Sequence, residues 1–128
     1  MFVIKLLDEV TGRFPFYKLI KNGKCQFDEF IDQLEKFGNM DTDIEAIFNI
    51  INRKANGHDV PPTMFKQLHG NENVKDFEVR KGAIRIYVAK YLNGYLIILG
   101  GLKPDQDRDI DKMRTIKTNF FTSINLKK

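Results

Sequence analysis

Apolar and polar residues along this chain change period several times, and each change marks an element. Phe2-Val-Ile-Lys-Leu-Leu7 is a short β-prone run expected to open a sheet, and Thr11-Gly-Arg-Phe-Pro15 breaks it. From Phe16 to Phe37 the apolar residues fall at 16, 19, 20, 27, 30, 31, 34 and 37, a helical spacing interrupted by Asn22-Gly-Lys. Its second part predicts a helix from Gln26 to Phe37, with Gly38 suited to the C-terminal cap. Thr42 and Glu45 then stand at capping-box spacing before a stripe of Ile44, Ile47, Phe48 and Ile51 that stops near Gly57. The two helices are expected to form an antiparallel hairpin whose aromatic residues cover a sheet.

The second half reads as that sheet. His58-Asp-Val-Pro-Pro62 is a loop, and Thr63 to Leu68 starts a strand containing Lys66. Asp76–Arg80, Ala83–Ala89 and Tyr95–Leu99 read as three antiparallel strands joined by tight turns at Lys81-Gly82 and Asn93-Gly94. In the register set by a Lys81-Gly82 turn, Arg80 faces Ala83, Glu78 faces Arg85 and Asp76 faces Tyr87. Phe77, Val79, Ile84, Ile86 and Val88 then share one face, and Glu78, Arg80, Arg85 and Tyr87 share the other. Both parities of Tyr95–Leu99 are apolar, as in a strand covered on both sides. Gly100-Gly101 suggests a bulge or a close backbone approach, and a bulge there would aim Lys103 at the arginine face. A helix is expected from about Asp105, with Ile110, Met113, Ile116, Phe120, Phe121 and Ile124 as its stripe. The fold class is α+β: an N-terminal strand, a helical hairpin, an antiparallel sheet of 3–4 further strands and a C-terminal helix, one domain over 1–128.

Composition narrows the chemistry. One cysteine, Cys25, excludes an intramolecular disulfide and any cysteine-based zinc site, and suits a reducing cytoplasm. His58 and His69 stand without ligand spacing, so no metal and no cofactor is expected, and no apolar run approaches a membrane span. The net charge of +4 is uneven: 8 Lys and Arg oppose 10 Asp and Glu through residue 65, whereas 13 oppose 7 after it. The sheet half is therefore the basic half, a footprint shared by partners of nucleic acid and of acidic protein segments. Two readings of the arginine face stand side by side. One is a solvated face with a cross-strand Glu78–Arg85 pair, worth up to ~1 kcal/mol. The other is a phosphate site, since guanidinium forks match phosphate oxygens.

Phe65-Lys-Gln-Leu-His-Gly70, Asp76-Phe-Glu-Val-Arg80, Ala83-Ile-Arg85-Ile-Tyr and Ile98-Leu-Gly-Gly-Leu-Lys103 follow one another in an order that resembles the RelE/ParE superfamily, its RelE/HigB-like branch above all. These are the toxins of type II toxin–antitoxin pairs, and the motif likeness runs from about residue 65 to 121. The resemblance implies a ribosome-dependent, metal-independent mRNA endonuclease of the cytoplasm. It implies Arg80, Arg85 and Lys103 as the phosphate clamp, Glu78 or Lys66 as the base, and Lys66, Lys81, Tyr87 and Arg108 as RNA-binding positions. It also implies an antitoxin, commonly joined to a helix-turn-helix protein. The chain departs from the family where a second lysine would follow Lys103. Pro104 stands there, and Asp105, Asp107 and Asp109 crowd the next turn with charge that opposes an RNA backbone. Two alternatives therefore stay open: a ParE-like inhibitor of DNA gyrase without enzymatic activity, and a degenerate member that only binds its antitoxin.

Overall fold

The computed structural model describes residues 1–125, an α+β architecture in three layers. Six strands, β1 (Phe2–Leu6), β2 (Phe16–Lys21), β3 (Phe65–Gln67), β4 (Asp76–Lys81), β5 (Ile84–Tyr91) and β6 (Gly94–Leu102), form one sheet in the order β1-β2-β6-β5-β4-β3. β2 runs parallel to β6, and every other neighbouring pair is antiparallel. The hairpin of α1 (Gln26–Phe37) and α2 (Asp41–Ala55) packs on one face around Phe27, Leu34, Ile47 and Ile51. The C-terminal helix α3 (Gln106–Asn125) packs on the other around Met113, Ile116 and Phe120.

The expected helical reading of Phe16–Lys21 is corrected to a strand. Phe16 enters the core on the hairpin side, whereas Tyr17 and Leu19 pack on the α3 side. A strand covered on both faces shows no period-2 alternation, so its apolar residues imitate helical spacing. Asn22 and Gly23, with φ of 52° and 79°, turn the chain into a Lys21–Lys24 bridge, as a primed turn does. The capping box is corrected too. α2 starts at Asp41 with Met40 at its cap position, so Thr42 lies inside the helix, where Asp41 and Asp43 oppose the positive end of its dipole.

Both hairpin turns sit one residue away from their expected places. Lys81 pairs with Ile84 around Gly82-Ala83, and Tyr91 pairs with Gly94 around Leu92-Asn93. The register of β4 against β5 thus differs by two positions, an even slip that keeps every side chain on its expected face. Phe77, Val79, Ile84, Ile86 and Val88 do meet the hairpin. Gly94 serves not the turn but a close approach, because a Cβ there would collide with the Pro15 carbonyl.

The irregularity in β6 lies at Ile98, not at the twin glycines. Val88 pairs with Ile97 and Tyr87 with Leu99, leaving Ile98 extra, so Ile98 and Leu99 both face α3. The glycines answer another need. A side chain at Gly100 would strike Phe30 of α1, and one at Gly101 would strike the Asp109 carboxylate of α3. The chain's own helices, one from each side, are what approach here.

α3 is fastened by an ionic cluster that its apolar stripe did not announce. Asp76, 1 % exposed, accepts from Arg114 Nε at 2.8 Å, Arg114 Nη2 at 2.9 Å and Lys117 Nζ at 2.8 Å. Lys117 also donates to Glu72 and to the Val74 carbonyl, and Arg114 to the His69 carbonyl. Burial pushes the Asp76 carboxyl up, but the hydrogen bonds from Arg114 and Lys117 outweigh it and hold its pKa below the ordinary value. With its donors and acceptors matched, this cluster is a structural clamp between α3, β4 and the preceding loop.

Candidate functional site

Strand pairing builds the arginine face in two rows. Lys66, Glu78 and Tyr87 align across β3, β4 and β5, and one step along the same face Arg80 opposes Arg85. Two like charges directly opposed are unfavourable unless a counter-charge lies between them, and Glu78 supplies it. Its Oε2 lies 3.0 Å from Arg80 Nε and 3.9 Å from Arg85 Nε, so the Glu78–Arg85 pair exists but diagonally. The Arg80 contact is off the line of a hydrogen bond, so the attraction is Coulombic and neither Glu78 oxygen is hydrogen-bonded. Burial drives the Glu78 pKa up, against the pull of Arg80, Arg85 and Lys66.

The exposure of these groups assigns them different tasks. Arg85 is 3 % exposed, and its Nη1 donates to the Gly82 and Ile84 carbonyls at 2.7 and 2.9 Å. The turn therefore fixes its guanidinium in place. Arg80 keeps 31 % of its side chain in solvent, and Lys81 is exposed. Together with Thr63, Met64 and Gly82 these arginines line an open cleft of about 370 Å³ at the β3–β4–β5 edge. Lys103 is exposed and begins beside the same turn, where its backbone N–H donates to Ala83.

Three candidates stand apart from the cleft surface. Glu78 has no solvent-exposed area, so it underlies the guanidiniums instead of meeting a ligand. Tyr87 is fully buried under α3 with its hydroxyl unpaired, and burial, then the charges of Glu78 and Asp109, raise its pKa. Arg108 is exposed but lies near Asp105 at 3.4 Å and Asp109 at 3.9 Å, so the acidic turn engages it. Asp109 is itself largely buried against Gly101, and burial raises its pKa against the pull of Arg108.

No family model, curated protein or solved structure matches this chain. The geometry alone therefore carries the functional reading. Among the described residues no His, Cys, Asp or Glu group is arranged to hold a metal ion, and no helix is long and apolar enough to cross a membrane. Thr63 and Met64 are cleft residues that the sequence reading passed over. They precede a three-residue strand, and only the pairing of β3 with β4 brings them to the arginines. What the cleft can do chemically is bind an anion: the partly exposed Arg80 guanidinium, the fixed Arg85, the Lys81 ammonium and the Thr63 hydroxyl line it, with the Asp43 carboxylate lying against Gly82 as an opposing charge.

Proposed function

We propose that this chain is a metal-independent endoribonuclease toxin of the RelE-like kind, acting on mRNA at the ribosome in the cytoplasm and neutralised by a cognate antitoxin. The observation that carries the reading is the Arg80–Arg85 pair, opposed across two strands and balanced from beneath by Glu78, with Arg80 reaching solvent at a cleft that the buried Arg85 also lines. Part of the order of elements supports it as well: a helical hairpin, an antiparallel run of strands and a C-terminal helix follow one another, although two strands, not one, precede the hairpin.

Cleavage by this route needs no metal. The ribose 2′-oxygen attacks the adjacent phosphorus as its proton leaves, the bond to the 5′-oxygen breaks, and that oxygen takes up a proton. The products are a 2′,3′-cyclic phosphate and a free 5′-hydroxyl. Arg80 holds the non-bridging oxygens, where charge builds in the transition state, Arg85 adds its charge from the buried position fixed by the turn, and Lys81 and Lys103 add field at the rim. Glu78 is a positioning residue, since its burial keeps it from the ribose but places it against both guanidiniums. Lys66, acting as the free amine, accepts the 2′ proton, and the Lys103 ammonium gives one to the leaving 5′-oxygen.

The test is induction in a bacterial host with mapping of transcript ends, beside an Arg80→Ala/Arg85→Ala double variant. The reading expects growth arrest with new cyclic-phosphate ends, both lost in the double variant. A second reading, non-enzymatic inhibition of a protein target such as DNA gyrase, is favoured by the retention of Arg85 on backbone carbonyls and by the acidic turn. Arrest with intact transcripts and stalled replication would select it and overturn the first.

A further inference from the structure

The sheet ends at β1, and no described strand pairs with the outer side of that strand. β1 is five residues long, holds neither proline nor bulge, and carries Lys5 as its one charge. Such an edge is a template for a further strand. The opposite edge, β3, is cut to three residues. The Leu7 N–H donates to the Phe16 carbonyl and the Asn22 N–H to the Met1 carbonyl, which sets the alternation along β1. Met1, Val3, Lys5 and Leu7 therefore bond to β2, whereas Phe2, Ile4 and Leu6 turn their N–H and C=O groups outward.

The side chains along this edge form a projection and a recess. Phe2 and Ile4 pack against the α3 layer, and Leu6, on the same face by alternation, stands 45 % exposed. At the Phe2 end, Met1, Phe2, Phe120, Ser123 and Ile124 line a mainly apolar groove of about 530 Å³. Met1 and Ile124 are exposed there as well. A projecting leucine and an apolar groove thus stand at opposite ends of one open strand.

We infer that two copies of this chain join through β1, antiparallel about a two-fold axis at Ile4, so that their sheets become continuous. In that register Ile4 faces Ile4 of the second copy and Phe2 faces its Leu6, and the outward groups of all three residues pair. Each Leu6 then reaches the groove beside the other copy's Phe2. Lys5 meets Val3 instead of a like charge. A slip of one residue sets outward groups against inward ones. A slip of two sets Lys5 against Lys5 in one direction and carries Leu6 beyond Met1 in the other. The strand complements itself in a single register, which argues for a second copy over an unrelated strand. The inference does not depend on the proposed cleavage, because β1 and the Arg80 cleft lie at opposite edges of the sheet.

The experiment is sedimentation of the full chain over a wide concentration series, comparing wild type with Leu6→Ser. Wild type is expected to pass from monomer to dimer. Leu6→Ser is expected to weaken this by about a hundredfold, because each dimer loses two Leu6 contacts worth about tenfold apiece. Thermal melts at low concentration check that the variant folds. A cysteine test in a Cys25→Ser background reads the register. Facing residues of a non-hydrogen-bonded pair stand ~4.5 Å apart at Cα, within disulfide reach. Val3→Cys mixed with Lys5→Cys is therefore expected to oxidise to a linked pair much faster than either variant alone. A chain monomeric throughout, a dimer indifferent to Leu6→Ser, or equal cross-linking of the single variants would overturn the inference. A monomer whose Ile4 amide gains exchange protection only from another protein's strand would give the edge to that protein.

Discussion

Removing the Asp76 carboxylate tests whether α3 is held by charge or by its apolar stripe alone. Asp76→Ala leaves Arg114 and Lys117 facing the site with their strongest acceptor gone, and Lys117 is only 3 % exposed. Breaking one side of a buried ion pair costs about 3–5 kcal/mol. Lys117 retains Glu72 at 2.8 Å and the Val74 carbonyl at 2.9 Å, and Arg114 retains the His69 carbonyl, so the low end applies. A loss of about 3 kcal/mol in a domain of this size lowers the melting temperature by about 10–15 °C. The pH dependence follows from the depressed Asp76 pKa. A depressed carboxyl stabilises the fold above its unfolded value of about 3.9, and the gain disappears as pH falls through the lower folded value. The gap between wild type and Asp76→Asn should therefore be full at neutral pH and narrow in acid. Thermal and urea melts followed by circular dichroism measure it, and the Asp76→Ala/Lys117→Met cycle isolates the coupling. A loss under about 1 kcal/mol, or a strictly additive cycle, would refute the argument.

Other expectations follow from single positions. Gly101→Ala should cost about 1–3 kcal/mol by forcing Asp109 and the start of α3 outward, and adding Asp109→Ala should restore much of it, as read in urea melts. Leu92 holds φ of 50° at an exposed turn, so Leu92→Gly should raise stability by about 1 kcal/mol; a fall in the urea midpoint would show that the turn needs the side chain. Tyr87→Phe removes a buried hydroxyl with no protein partner and should leave stability equal or higher by about 1 kcal/mol, with transcript cleavage intact. If cleavage disappears while the fold stays intact, the phenol acts directly. Glu78→Gln should keep the fold but loosen the Arg80 guanidinium, with Arg85 still held by its turn, reducing cleavage far less than Arg80→Ala; equal losses would make Glu78 a direct participant.

Much of this architecture could be read from periodicity because one face of β4 and β5 is strictly apolar. That alternation survived an error of two residues in register, since an even slip does not exchange faces. Turn position was less legible. Asn93-Gly94 looks like a primed turn, yet the Pro15 carbonyl, which is remote in sequence, explains Gly94. β2 was hidden by the same double-sided burial that made β6 conspicuous, because only β6 follows an evident hairpin. Within the site, the sharing of one face by Glu78, Arg80, Arg85 and Tyr87 was visible, but their depth was not. Depth depends on α3, whose polar anchors Lys117 and Asp109 sit in its buried stripe as if they were apolar residues. Thr63 and Met64 carried no pattern that pointed to the cleft.

The twin glycines of β6 give the sheet two adjacent addresses with opposite destinations. Bulk added at the first would press on Phe30 of the helical hairpin and on Ile86 beside it, and bulk added one position later on Asp109 of the terminal helix. Neighbouring codons thus act on opposite outer layers. An experimenter could loosen the lid over the arginine face without touching the opposite layer, and learn which of the two governs access.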